Sequence, residues 1–146
     1  MIDKKHIGTR FPLHQASVEA GQLRFFAKAT GETNPVYFDQ AAARAANHPA
    51  LPVPPTFLFS MELLRPASTW REDMGIELAR VLHGEQCFTY HRMAYAGDVL
   101  SFDCHVVDIY QKKGGALDFL VRETRVTNQR DEHVADLRNV LVQRNA

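Results

Sequence analysis

Two side chains on one short loop, Glu32 and Tyr37, are the leading candidates for chemistry in this chain. They fall within FAKATGETNPVYFDQAAA, residues 26–43, which runs an apolar-faced helix into Gly31, turns through Gly31-Glu32-Thr33-Asn34-Pro35 and restarts a helix near Asp39. Gly31 can adopt a left-handed helix cap, Asn34 can bond the neighbouring backbone, and Pro35 fixes its own φ while keeping Asn34 extended. A loop so punctuated is stiff. It presents a carboxylate able to take or give a proton beside a phenol able to donate a hydrogen bond. Read from the loop alone, a plain connector with a solvated Glu32 and a packed Tyr37 fits equally well. His83 and His91, in HGEQCFTYHRMAYAGDVL (residues 83–100), are the remaining acid–base candidates, each also readable as a hydrogen-bonded structural side chain.

The order of the loop (aromatic, small residues, Gly, acid, any residue, Asn-Pro, aliphatic, then a small residue) resembles the signature of the MaoC-like (R)-specific enoyl-CoA hydratases and 3-hydroxyacyl dehydratases. Phe26, Gly31, Asn34, Pro35, Val36 and Ala43 match it. VPPTFLFSM at residues 53–61 and the 83–100 stretch are similar to the N-terminal MaoC dehydratase subfamily, so the resemblance spans about residues 7–144. The family signature carries a catalytic Asp where this chain has Glu32 and a catalytic His where it has Tyr37. Fold and ligand class are therefore what the resemblance implies most directly, the ligand being an acyl thioester of CoA or of acyl-carrier protein. In that subfamily a domain of this kind commonly acts beside a second hot-dog domain that retains the Asp and His.

Dehydration of a 3-hydroxyacyl thioester needs removal of a C2 proton, departure of the C3 hydroxyl, and stabilisation of charge on the thioester oxygen. The start of the helix after Pro54-Pro55 offers backbone N–H donors at Thr56 and Phe57 for that oxygen, with Asn34 nearby as a substrate contact, although a core helix simply beginning there is the plainer reading. Glu32 is one methylene longer than Asp, a displacement of about 1 Å that can cost about a hundredfold in rate. A phenol with a pKa of about 10 cannot replace an imidazole in proton exchange and is left with orientation.

The elements that must hold these groups are legible in outline. A short strand is expected around Phe11–Gln15, a helix over 18–29 with Ser17 as N-cap, and a short alanine-rich helix over 40–46 capped by Asp39. Residues 47–55 contain four prolines and lead into TFLFSMELL, apolar almost all round and so expected to be buried, with Pro55 in its first turn. Residues 80–92, 98–111, 116–128 and 133–144 alternate apolar with polar and read as four strands, turned at Gly97-Asp98, Gly114-Gly115 and 128–132 and joined as an antiparallel meander. A curved antiparallel sheet around one buried helix is an α+β hot-dog fold, here a single domain over residues 1–146. Glu85 is expected to pair with Arg92 or Arg80, and Asp98 to serve its turn.

Composition narrows the partners. Seventeen basic against seventeen acidic residues give no electrostatic footprint for nucleic acid or an anionic membrane. No apolar run approaches a membrane span and the first ten residues lack a signal core, so the expected location is the cytoplasm. Cys87 and Cys104 are expected to be reduced and buried, and neither the cysteines nor the seven histidines show metal-ligand spacing, so no metal and no cofactor is expected. The lone domain leaves a sheet edge and a helix flank open, which points to a homodimer or a heterodimer with another hot-dog subunit. Three functions are carried forward: a dehydratase or hydratase of 3-hydroxyacyl or 2-enoyl thioesters, a non-catalytic acyl-binding subunit whose partner supplies the Asp/His pair, and an acyl-thioester binding protein or thioesterase. Hot-dog thioesterases usually place an acid on the central helix, and the late position of Glu62 in this one argues weakly against hydrolysis.

Overall fold

The computed structural model describes residues 1–66 and 68–145. Strand β1 (His14–Ser17) leads into helix α1 (Ala20–Ala29), which is followed by a 3-10 turn (Pro35–Tyr37) and helices α2 (Gln40–Ala45), α3 (Phe57–Leu63) and α4 (Trp70–Asp73). Four long strands complete the chain: β2 (Val81–Tyr90), β3 (Val99–Lys112), β4 (Leu117–Thr127) and β5 (His133–Arg144). They form one antiparallel sheet in the order β1-β3-β4-β5-β2. With α3 against its inner face this is the hot-dog fold.

The strand order corrects the expected meander. β3, β4 and β5 do follow one another, but β2 pairs with β5 rather than with its sequence neighbour, so the chain between β2 and β3 crosses the end of the sheet. β2 is consequently an edge, bonded on one side only among the described residues. At the opposite edge β1 lies along part of β3, from His14 against Phe102 to Ser17 against Val99. This pairing displaces the expected strand by about two residues and recruits Ser17, which is therefore not the N-cap of α1. That position belongs to Glu19, whose side chain makes no cap bond.

α3 is held by burial of one face. Leu58 and Met61 are fully enclosed and pack with Leu100, Phe102, Val126 and Leu137 of the sheet. Each such side chain contributes about 1.5–3 kcal/mol relative to exposure. The helix is not buried all round, however, because Leu63 and Leu64 are 59% and 55% exposed. Beyond α3, residues 70–76 cover the other half of the inner face, with Met74 and Ile76 packed near Ile109 and Leu120.

β2 bends at Gly84, where the register with β5 shifts between His83 and Glu85. A Cβ at Gly84 would meet Val142 Cγ2 at 2.7 Å and the Val140 carbonyl oxygen at 3.0 Å, so only glycine fits this bulge. Glu85 pairs with Arg138 of β5 at 3.8 Å, not with Arg80 or Arg92, because strand pairing places Arg138 beside it. Cys104 is buried as expected, but Cys87 on the open edge is exposed; both are free thiols. Among the described residues no helix is long and apolar enough to cross a membrane.

Candidate active site

The loop after α1 is built as its residues dictate. Gly31 takes φ 76°, and the N–H groups of Gly31 and Glu32 reach back to the carbonyls of Lys28 and Ala27 at 3.2 and 2.9 Å, closing the helix end. Asn34 is extended (φ −70°, ψ 120°) and its side chain accepts from the Val36 N–H at 3.2 Å, which starts the 3-10 turn carrying Tyr37. Asp39 then caps α2 through the Ala42 N–H at 2.7 Å. Asn34 thus has a local structural task, and it lines neither of the two clefts described below.

Glu32 and Tyr37 are close enough to influence each other. Glu32 Oε1 accepts from the N–H groups of Thr33 and Asn34 at 2.8 and 2.9 Å, so the carboxylate caps its own turn. Burial, with the Glu32 charge beside it, pushes the Tyr37 phenol above its ordinary value. It therefore stays protonated at neutral pH, a donor and not a base. No hydrogen bond joins the two side chains among the described residues.

Thr56 is the N-cap of α3 in a left-handed conformation, φ 70° and ψ −11°. Pro55 lies just before the helix rather than in its first turn. The Thr56 N–H donates to the Tyr90 hydroxyl at 3.0 Å and the Phe57 N–H to the Pro54 carbonyl at 3.2 Å. Both N–H groups expected to face a substrate oxygen thus have partners in the free chain, Thr56 because Tyr90 at the end of β2 reaches across to the helix start.

Two open clefts flank this helix start. One, about 370 Å³, is lined by Tyr37, Val53, Pro55 and Tyr90, with His91 at its rim. The other, about 380 Å³, is an apolar groove that runs between α1 and α3 past Gln22, Phe25, Phe26, Phe57, Ser60 and Leu64. Tyr37 lines the first cleft and not the second, and Glu32 lines neither. Glu32 and Tyr37 therefore do not line one shared concavity.

His83 and His91 separate in space. His83 is exposed and sets its ring edge against Phe59, with centroids 5.2 Å apart. His91 instead joins two residues that sequence spacing did not single out: its Nε2 lies 2.7 Å from Asp136 Oδ2, while His133 Nε2 lies 2.8 Å from Asp136 Oδ1. Burial raises the Asp136 pKa, but the two imidazole hydrogen bonds outweigh it and hold the carboxyl below its usual range. The only local hint in the sequence was a His and an Asp three apart at the start of a strand. Glu62 is buried and accepts from the Thr124 hydroxyl at 2.6 Å, anchoring α3 to the sheet.

The family model described as "FAS1-like, dehydratase domain region" matches residues 5–137. A UPF0336 protein of Streptomyces coelicolor is 36% identical over 149 residues, covering 99% of this chain and 97% of that one. Two solved complexes from Mycobacterium tuberculosis share the fold. The HadBC complex, a (3R)-hydroxyacyl-ACP dehydratase, aligns at TM-score 0.78 and 24% identity over 94% of this chain and 96% of that chain. The ChsH1–ChsH2 complex aligns at TM-score 0.74 and 23% identity over 93% and 89%. With the family model spanning nearly the whole hot-dog unit and a relative matched end to end, the chain belongs to the FAS1-like dehydratase-region family of MaoC-like hot-dog proteins.

Proposed function

We propose that this chain is the acyl-binding subunit of a two-part acyl-thioester dehydratase, in which a second hot-dog chain supplies the carboxylate and imidazole that move protons. The observation that carries this reading is the state of positions 32 and 37. A carboxylate with one oxygen bonded into its own turn and a phenol held protonated lack the imidazole that would exchange a proton with the departing C3 hydroxyl at neutral pH. The engaged N–H groups of Thr56 and Phe57 support the same reading, since an oxyanion hole needs free donors.

What remains is equipment for binding and assembly. The apolar groove between α1 and α3 suits the hydrocarbon of a 3-hydroxyacyl or 2-enoyl thioester, whether carried by CoA or by acyl-carrier protein. The β2 edge, ten residues without proline or lysine to blunt it, suits strand-to-strand pairing with another hot-dog chain. The two solved relatives described above are complexes of distinct subunits.

The test is hydration of crotonyl-CoA and of a longer enoyl-CoA by the chain alone, by a partner bearing the Asp/His pair, and by both together. The chain alone should be inactive and the mixture active. Glu32→Gln and Tyr37→Phe should leave the mixture nearly unchanged, while Ser60→Trp, which fills the groove, should lower activity on the longer substrate. Turnover by the isolated chain that disappears in Glu32→Gln would instead identify a self-sufficient hydratase with Glu32 as its acid–base group.

A further inference from the structure

We propose that His91, His133 and Asp136 form a site for a divalent transition-metal ion of the zinc type at the end of the sheet. The two imidazoles and one carboxylate offer one ring nitrogen each and one oxygen, all within 4.8 Å of one another. Neutral imidazole nitrogens with a single carboxylate are a donor set for zinc, cobalt or nickel rather than for magnesium or calcium, which prefer oxygen.

The backbone builds this constellation. Thr127 of β4 faces His133 while Val126 faces Ala135, so Val134 is an extra residue in β5. Without that bulge His133 and Asp136, three apart on a strand, would project to opposite faces; with it they meet at 2.8 Å. The carbonyl of the same Val134 accepts the N–H groups of His91 and Arg92 at 2.9 and 3.1 Å, which ties the third ligand to the bulge. One inserted residue therefore re-aims His133 and fixes His91. The imidazole rings lie against each other, 4.1 Å apart centroid to centroid, and each turns its Nε2 to one oxygen of the carboxylate.

A small movement of one side chain would admit an ion. Tetrahedral bonds of about 2.0–2.1 Å put neighbouring donor atoms about 3.4 Å apart. The carboxylate oxygens stand at 2.7 and 2.8 Å from the nitrogens, so admitting the ion requires Asp136 to withdraw by about 0.6 Å. Its side chain is 48% exposed and has the room to do so. Each nitrogen would exchange its bond to Asp136 for a bond to the metal, giving up its proton if it carries one there. Three ligands leave a further position for water, and the ion would pin the end of the β2 edge to β5.

The experiment is titration of tag-free, metal-stripped protein with Zn²⁺ by calorimetry, with Co²⁺ absorption as a second readout of a nitrogen–oxygen environment. The wild type should bind about one equivalent and gain thermal stability. His133→Ala and Asp136→Ala, checked for wild-type circular dichroism, should each weaken binding roughly a hundredfold or more. His91→Gln serves as a third variant should either of those fail to fold. The absence of saturable Zn²⁺ binding by the wild type, or binding of equal strength in the folded variants, overturns the assignment. These outcomes are independent of enoyl-thioester turnover.

Discussion

Thr56 offers a quantitative test of how the helix start is held. Its φ of 70° places a β-branched residue in the left-handed region, at a cost of about 1–2 kcal/mol. Thr56→Gly removes that cost and gives back roughly 0.5–1 kcal/mol through the greater freedom of unfolded glycine, a net gain of about 0–1.5 kcal/mol. Little else is lost, because Thr56 is exposed and its side chain makes no cap bond. Its N–H, bonded to the Tyr90 hydroxyl, is retained. At about 2–4 °C per kcal/mol for a domain near this size, Tm should rise by up to about 6 °C. Thr56→Ala keeps the Cβ and with it most of the strain, so it should melt at or below the wild type. Thermal unfolding of the three proteins side by side is the assay. A glycine variant less stable than the alanine variant would refute the reasoning, since it would mean that this backbone conformation carries no penalty for glycine to relieve.

Two further predictions concern the loop and the sheet. Glu32→Asp with Tyr37→His restores the family pair, and adding Tyr90→Phe frees the Thr56 N–H; the triple variant should hydrate enoyl-CoA about 10²–10⁴-fold faster than the wild-type chain, and a variant that folds but shows no gain would mean the scaffold cannot position the pair. Asp118, fully buried on β4, has its pKa raised by burial but lowered more by hydrogen bonds from Gln111 at 2.6 Å and the Ile2 N–H at 2.8 Å, so it lies below the ordinary carboxylate value. A depressed folded pKa contributes stability that is present above the unfolded value of about 4 and lost as the pH falls through the folded value. Asp118→Asn should therefore be less stable than wild type by about 1.5–3 kcal/mol at neutral pH, with the gap closing in acid; a gap unchanged from pH 7 into acid, measured by urea unfolding, would count against the assignment.

The four long strands were legible to within a residue or two because alternation and glycine turns are local signals. Their order was not, because nothing within Val81–Tyr90 records that its partner is β5. Ser17 shows the same limit on a smaller scale: a good capping residue by type was drawn into pairing with Val99. In the loop, Gly31, Asn34 and Pro35 dictated the backbone and were read correctly, whereas the bonding of Glu32 to the next two N–H groups depends on a rotamer that residue types leave open. His133 and Asp136 were missed because a bulge, not a spacing, brings them together with His91. Residues 65–79, including α4, carried no period to read.

The one-sided bonding of β2 also has an isotopic consequence. In an antiparallel edge strand alternate backbone amides point at the neighbouring strand and away from it, so between Val81 and Tyr90 protons facing β5 should exchange with deuterium slowly and those facing outward rapidly. Docking of a second strand slows the outward set and erases the alternation. These ten residues would thus register assembly in the deuterium uptake of a single peptide, before any substrate is offered and whichever chain the partner proves to be.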